Sequence, residues 1–202
     1  MKILLVGDNG TIGSAVADLL ASRGHTVIGA SRSHAERCVD LTDAASIDKL
    51  YVGVGTVDAV ACAGGHVVYG SISEMSYDKY LASLCDKGLG QIELVRRGLA
   101  SISARGSFTL ITGVLFDRPI VTGSAAAAAN GAVEGFARAA ALELAPIRVN
   151  VVSPTLLTES VGKHGHLFPG ETPVSAGLVA NAYLRSIETV ETGQIYRLHP
   201  AP

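Results

Sequence analysis

The sequence lacks the features that mark several protein classes. Its three cysteines (Cys38, Cys62 and Cys85) are odd in number and widely spaced, which fits neither a disulfide framework nor a metal site. The net charge of −2 argues against nucleic-acid or membrane binding through bulk charge. No apolar run reaches the roughly 18 residues that span a bilayer. We therefore expect no metal, no nucleic-acid partner and no membrane association.

The sequence also has no clear export signal. The apolar stretch at residues 3–6 is short, and glycines follow it, so a first β-strand is the better interpretation and the cytoplasm is the expected location. The 202 residues are 48% hydrophobic and 17% charged, which suits a folded chain with its own core. We expect a single domain over residues 1–202.

Short apolar runs alternate with helical patterns along the chain. The apolar runs predict strands at 2–6, 26–30, 36–39, 57–61, 107–112, 147–152 and 193–198. The helical patterns lie at 12–22, 44–52, 124–145 and near 175–188, with a partly helical region over 74–103. This alternation, with strands apolar on both faces, predicts a doubly wound parallel sheet: a Rossmann fold of about seven strands with helices on both faces.

A glycine-rich loop joins the first predicted strand to the first helix. Gly7, Gly10 and Gly13 form a G-x-x-G-x-x-G pattern, in which glycine lets the backbone turn tightly and approach a pyrophosphate. The N-terminus of the following helix offers free N–H groups and the positive end of its dipole. The loop therefore predicts nucleotide binding, and the alternative is a tight strand–helix turn without a ligand.

The end of the second strand favours NADP over NAD. A carboxylate here would hydrogen-bond the ribose 2′-hydroxyl of NAD, whereas Arg32 with Ser31 suits the 2′-phosphate of NADP. The alternative for Arg32 is a solvated surface residue, and the charge of Asp8 could oppose a phosphate.

Several motifs resemble the short-chain dehydrogenase/reductase family along nearly the whole chain. Besides the glycine loop they are VDL at 39–41, ACAG at 61–64, ELAPIRVNVVSP at 143–154 and TGQ at 192–194. The resemblance implies an NAD(P)-dependent oxidoreductase with a small-molecule substrate. The residues expected at the cofactor are Gly7, Asn9, Gly10, Thr11, Ile12, Gly13, Ser31, Arg32, Asp40, Leu41, Ala63, Gly64, Lys87, Asn130 and Pro154.

The catalytic groups usual in that family are absent from their own positions. The family uses Asn, Ser, Tyr and Lys, with tyrosine as general acid/base and lysine lowering its pKa. Matching the motifs places Ala126 at the tyrosine position, Asn130 at the lysine, Gly113 at the serine and Lys87 at the asparagine.

Three polar residues remain as catalytic candidates. Lys87 could supply a cation and a proton, Thr112 could orient an oxygen, and Asn130 could hydrogen-bond a ribose hydroxyl. His66 and Tyr69 are further proton donors. The alternative for Lys87, Thr112, His66 and Tyr69 is a structural or solvated side chain. Residues 155–174 are either a lid over the substrate or an ordinary surface loop.

The helix at 124–145 allows two further interpretations. Glu134 and Arg138 are spaced to pair along it. Its small residues suit the helix packing that builds homo-oligomers, dimers or tetramers, in the family the chain resembles. Two functions stay open: an atypical NADP-dependent oxidoreductase acting on an unknown small carbonyl or alcohol, or a catalytically degenerate nucleotide-binding sensor or scaffold.

Overall fold

Six parallel strands form one sheet in the computed structural model, which describes residues 1–33 and 37–199. They are β1 (Lys2–Val6), β2 (Thr26–Ala30), β3 (Val57–Cys62), β4 (Ile102–Ile111), β5 (Arg148–Pro154) and β6 (Ile195–Leu198). Their order across the sheet is β2-β1-β3-β4-β5-β6, and every neighbouring pair is parallel. The predicted doubly wound fold is confirmed.

Helices cover both faces of this sheet. They are α1 (Thr11–Ser22), α2 (Ala44–Val54), α3 (Tyr77–Ser83), α4 (Gly90–Gly98), α5 (Ser124–Glu143), α6 (Val161–His164) and α7 (Ala176–Glu188). Helix α1 packs against α7, while α4 packs against α2 and α5. Among the described residues, no helix has the length and apolar character needed to cross a membrane.

The sheet has six strands where the sequence predicts about seven. Part of the extra strand predicted at 36–39, Glu36, lies outside the described residues. Cys38 forms only an isolated bridge with Ser31, and Asp40 then begins a turn by accepting a hydrogen bond from Thr42 N at 2.9 Å. The link between β2 and α2 turns too early for a strand to extend.

The central strands are buried on both faces because helices cover them. Ile3, Leu4 and Leu5 of β1 are fully buried, as are Val149 and Val151 of β5. Burial of each such side chain stabilises the fold by about 1.5–3 kcal/mol. The continuous apolar runs in the sequence are therefore the core itself.

The carboxyl ends of the strands carry the ligand-binding edge of the fold. Strand β1 lies between β2 and β3, so the chain leaves β1 toward one side and later returns to the other. A crevice opens at such a reversal in α/β sheets. The loops after β1, β2, β3, β4 and β5 all meet at this edge.

A single π-helical turn, Leu84–Leu89, separates α3 from α4. Ser76 caps the start of α3, where its Oγ accepts a hydrogen bond from Lys79 N at 3.3 Å. Turns of the π type interrupt α-helices chiefly at functional sites. This turn presents Lys87 toward the crevice.

Candidate functional site

The loop between β1 and α1 fits only glycine at two positions. Gly7 has a φ of 85°, and a Cβ there would lie 2.9 Å from Gly64 N. A Cβ on Gly13 would lie 1.9 Å from Gly7 O. Gly10 is the N-cap of α1, and no side chain caps this helix. The first-turn amides, which include those of Thr11 and Ile12, are therefore available to an anionic group.

A cleft of about 250 Å³ opens beside this loop. Its lining residues are Val6, Gly7, Asn9, Gly10, Ser31, Arg32, Ser33, Val39, Leu41, Ala63, Gly64, Gly65 and Asp86. The structure thus brings most of the predicted cofactor residues together. Asp40 is exposed next to Leu41, and hydrogen bonds from the backbone and side chain of Thr42 lower its pKa.

Arg32 lies at the outer end of this cleft, with 67% of its side chain exposed. Its Nη1 atom is 3.6 Å from Asp86 Oδ2, a weak pairing that leaves the guanidinium able to meet another anion. Ser31 Oγ is buried and has no hydrogen-bonding partner among the described residues. Asp8, the residue whose charge raised a difficulty for NADP, packs its carboxylate against Gly29 of β2.

A second cleft, of about 180 Å³, lies next to the first. Its lining residues are Val67, Tyr69, Lys87, Thr112, Gly113, Val114, Leu115, Ala126, Asn130, Pro154, Thr155, Leu156 and Phe168. The structure therefore gathers the three catalytic candidates from the π-helical turn, the end of β4 and α5. Gly65 connects the two clefts, because a Cβ on it would lie 3.1 Å from Lys87 Cγ.

The surroundings of Lys87 change the pKa of its amine. Burial lowers its pKa, and Cys62 and Asp86 oppose that shift only in part. Its Nζ atom makes no hydrogen bond to any residue that the structure describes. An amine in this state releases its proton more readily than a solvated lysine does.

Gln91 fixes the backbone around Lys87. This fully buried amide donates from Nε2 to Lys87 O and to Ile111 O, each at 2.9 Å. Its Oε1 accepts from Ile111 N at 2.8 Å. Gln91 thereby joins the π-helical turn to the end of β4, one residue before Thr112. The role of Gln91 is not evident from the sequence, since nothing in the local pattern distinguishes a buried glutamine from an exposed one.

Glu134 on α5 pairs with Arg197 and not with Arg138, so the predicted pairing along the helix is wrong. Its carboxylate is 1% exposed and accepts two hydrogen bonds from Arg197, at 3.1 and 2.9 Å. Arg138 points into solvent. Glu134 faces the sheet, where β6 brings a more distant arginine within reach.

The other two catalytic candidates are buried and hydrogen-bonded. Thr112, 4% exposed, donates from Oγ1 to Glu134 Oε1 at 3.2 Å. Asn130, 2% exposed, donates from Nδ2 to Gly113 O at 3.1 Å, while its Oδ1 is buried without a partner among the described residues. An unpaired buried acceptor costs free energy, which favours a ligand that supplies a donor.

The two additional proton-donor candidates lie in different surroundings. Tyr69 lines the second cleft, and burial raises its pKa, although about half of the side chain is exposed. His66 is exposed, and its backbone N–H donates to Asp86 Oδ1 at 3.1 Å. Tyr69 is therefore the better placed of the two.

Residues 155–174 form one wall of the second cleft. Phe168 packs against the buried cluster of Val114, Leu115 and Ala126. Glu171 anchors this wall through Arg118 Nη1 at 2.6 Å and Thr155 Oγ1 at 3.0 Å. The segment contains α6 and two short 3₁₀ turns. Its movement as a lid stays a prediction.

Comparison with known families identifies the chain. A family model described as enoyl-(acyl carrier protein) reductase matches residues 6–191. The chain belongs to the short-chain dehydrogenase/reductase family. This membership confirms the resemblance seen in the sequence motifs. Oxidoreductases of this family use a nicotinamide cofactor.

Known members of the family resemble the chain over most of its length. L-xylulose reductase of Bos taurus is 25% identical over 180 residues, which cover 80% of this chain and 74% of that protein. The crystal structure of the protein lin1944 from Listeria innocua is 43% identical, with a TM-score of 0.96, covering 98% of this chain and all of that one. A small-chain dehydrogenase in complex with NADPH is 25% identical, with a TM-score of 0.88, covering 98% and 96% of the two chains.

The residues present fit a nicotinamide dinucleotide. Gly7 and Gly13 let the loop fold tightly against neighbouring backbone, and Gly10, which lines the cleft, leaves room there for a diphosphate to approach. The unpartnered Ser31 Oγ lies at one end of the two adjoining clefts, and the unpartnered Asn130 Oδ1 lies at the other. Both atoms are buried, and a polar ligand that spans the two clefts is a source of the missing hydrogen-bonding partners.

Proposed function

We propose that this chain binds NADP(H) and is an oxidoreductase acting on a small carbonyl or alcohol substrate. The observation that carries the proposal is the meeting of Lys87, Thr112 and Asn130 in a cleft that adjoins the glycine-loop cleft. Such a site has room for the reacting groups at one end of a nucleotide. A nicotinamide bound there would supply or accept the hydride.

The residues of the first cleft have separate parts in holding the nucleotide. The amides of Thr11, Ile12 and Gly13 would meet the diphosphate, with Gly7, Asn9 and Gly10 completing the loop, since the Gly10 amide already donates to Gly7 O at 3.1 Å. Ser31 and Arg32 would meet a 2′-phosphate. The segments of Asp40 with Leu41 and of Ala63 with Gly64 would border the adenosine. The relative that holds NADPH supports NADP as the cofactor.

The residues of the second cleft would serve the reacting end. Lys87 would exchange the proton at Nζ with the substrate oxygen, because its lowered pKa brings protonated and neutral forms closer in free energy. Asn130 and Pro154 would border the nicotinamide. Thr112 Oγ1 contributes lone pairs, since its proton is held by Glu134.

A specific observation also supports the second function, a nucleotide-binding sensor or scaffold. Ala126 stands at the position of the family's tyrosine and is buried beneath Val114 and Leu115. The protein would then bind NADPH and reduce no substrate. Because its matched relatives are reductases and dehydrogenases, the oxidoreductase is the function we favour.

Nucleotide titration tests this proposal. The fluorescence of NADPH and NADH is followed as each binds to the unaltered chain, to Arg32→Ala and to the control Arg138→Ala. NADPH should bind more tightly than NADH. Arg32→Ala should weaken NADPH binding by about 10- to 100-fold, the size expected for charged hydrogen bonds, and leave NADH unchanged. Absence of binding by both nucleotides would remove both functions.

Two further predictions concern the whole protein. We propose a homo-oligomer, either a dimer or a tetramer, that operates in the cytoplasm as a single-domain chain. Light scattering of the purified protein measures the oligomeric state directly, and a monomer at micromolar concentration would contradict the first of these predictions.

A further inference from the structure

The polar atoms at the base of the second cleft are arranged to accept hydrogen bonds. Both oxygens of Glu134 accept hydrogen bonds from Arg197, so the carboxylate is the acceptor in its contact with Thr112. The Thr112 hydroxyl must then donate its only proton to Glu134. What Thr112 Oγ1 offers to a ligand is a lone pair.

Asn130 presents a second acceptor. Its amide orientation is fixed because Gly113 O can only accept, which assigns Nδ2 to that contact and leaves Oδ1 on the other side. Oδ1 is buried and unpartnered among the described residues. The cleft therefore holds two acceptors, neither of which can hydrogen-bond a carbonyl oxygen.

Lys87 is the matching donor. Its side chain belongs to a residue that lines the same cleft, and its amine can donate in both its protonated and its neutral form. A hydroxyl group accepts one hydrogen bond and donates another, so it satisfies Lys87 and one of the acceptors together. A ketone satisfies Lys87 alone and leaves buried acceptors unpaired.

Apart from the hydroxyl groups of Tyr69 and Thr155, the remaining wall of the cleft is apolar. Val114, Leu115 and Ala126 form a buried cluster against which Val67 and Phe168 pack. No charged side chain other than Lys87 lines this cleft among the described residues. A ligand with a hydrocarbon body suits this wall, and an uncharged one avoids the repulsion that an acid or a phosphate would meet from the acceptor atoms of Thr112 and Asn130.

We propose that the second cleft takes an uncharged alcohol, whose hydroxyl accepts from Lys87 and donates to Asn130 Oδ1 or Thr112 Oγ1, with its hydrocarbon body on the apolar wall. This inference rests on the proposed function and names its substrate class. It makes the alcohol the more tightly held partner of any carbonyl/alcohol pair. Asn130 and Thr112 are the residues that set this preference.

The test uses probes that cannot react. The protein is loaded with NADP⁺ and titrated with 1-methylcyclohexanol, with the methyl ether of that alcohol and with cyclohexanone, and dissociation constants are measured by ligand-observed NMR. The tertiary alcohol has no carbinol hydrogen, so NADP⁺ cannot oxidise it, and NADP⁺ cannot reduce the ketone. The alcohol should bind about tenfold more tightly than the ether or the ketone, since only the alcohol donates.

Variants assign the preference to particular atoms. Thr112→Val and Asn130→Leu keep the side-chain size and remove one acceptor each, so each should reduce the tenfold preference, and the double variant should abolish it. Asn181→Leu, at an exposed position of α7, makes the same chemical change away from the cleft and should leave the preference intact. Thermal unfolding and NADPH affinity of each variant report whether it is folded. If Asn130→Leu proves unstable, Thr112→Val still tests the preference, because it leaves the Glu134–Arg197 pair in place.

The outcomes separate this inference from the proposed function. If NADPH does not bind, the proposed function fails. If NADPH binds but the three probes bind equally or not at all, the inference alone is overturned. If Asn130→Leu weakens NADPH binding without altering the preference among probes, Oδ1 belongs to the nucleotide ribose and the alcohol assignment is likewise overturned.

Discussion

The glycine-loop cleft is shaped by backbone atoms, whereas the second cleft is shaped by side chains from several elements. Gly7 and Gly13 set the loop that borders the first cleft, because a side chain at either position would meet neighbouring backbone. In the second, Lys87, Thr112 and Asn130 take the place of a different catalytic set in the same fold. A site formed by backbone atoms depends on the geometry of the fold, whereas the residues of a site formed by side chains can change while the fold stays the same.

The largest effect should follow from a substitution that distorts the glycine loop. In Gly13→Val the new Cβ would fall 1.9 Å from Gly7 O, so the loop must move. We expect NADPH binding to be lost and the free energy of unfolding to fall by about 3 kcal/mol. Thermal unfolding and NADPH titration measure the two effects.

Gly53→Ala is the matched control for this substitution. It lies in α2, where an added Cβ meets nothing within 4 Å, so it should stabilise the helix by about 0.5–1 kcal/mol and leave NADPH binding unchanged. Normal NADPH affinity in Gly13→Val would show that the loop does not hold the nucleotide.

The next largest effect should follow from breaking the ion pair of Glu134 and Arg197 beneath the second cleft. Arg197→Met leaves the buried Glu134 carboxylate without its counter-charge and should cost about 3 kcal/mol of unfolding free energy in urea. Adding Glu134→Gln should recover much of this loss. Arg185→Met breaks an exposed pair with Glu191 and serves as the control, with a far smaller change expected. An equal loss of unfolding free energy in Arg197→Met and Arg185→Met would contradict a stabilising role for the Glu134–Arg197 pair.

Lys87→Met tests the chemistry of the second cleft. Turnover of a substrate should fall about 100-fold or more if Lys87 moves the proton. Lys49→Met, at an exposed position of α2, is the control and should leave turnover as it was. An unchanged rate in Lys87→Met would eliminate this lysine as the acid.

The same variant should change how stability depends on pH. Burial lowers the pKa of Lys87 from its ordinary value near 10.4. Between the lowered value and the ordinary one, the unfolded chain binds a proton that the folded chain does not, so stability increases with pH in that window. Below the window the buried charge destabilises the fold. Lys87→Met should therefore be the more stable protein at neutral pH, and its advantage should shrink as the pH approaches 10.4.

The smallest effect should come from the outer wall of the second cleft. Glu171→Gln weakens the contact with Arg118 and should cost about 1 kcal/mol, seen as faster hydrogen exchange in residues 155–174. The hydrogen bond from Arg118 lowers the pKa of Glu171, so this contribution is present above its ordinary pKa near 4.3 and is lost as pH falls through the lowered value.

Glu143→Gln changes an exposed carboxylate at the end of α5 and is the control for this experiment. Its hydrogen exchange in 155–174 should match that of the unaltered chain. If hydrogen exchange in residues 155–174 is also unchanged in Glu171→Gln, the wall is held by the packing of Phe168.

Local sequence patterns predicted the strands, the principal helices and the glycine loop because each depends on neighbours a few residues apart. The same patterns failed at residues 37–39, the described part of the strand predicted at 36–39, which lead into a turn at Asp40. The meeting of Lys87, Thr112 and Asn130 was also predicted, through family positions. Gln91 and Arg197 were missed because their partners lie 20 and 63 residues away in the chain.

The sequence by itself determined the parallel sheet and the narrow turn at its first strand, since burial periodicity and the lack of a glycine side chain act locally. Only the tertiary structure decided that Glu134 pairs with Arg197, and hence that Thr112 turns its proton away from the cleft. Hydrogen bonds in the core are chosen by which buried groups the folded chain brings together, and sequence spacing carries no record of that choice.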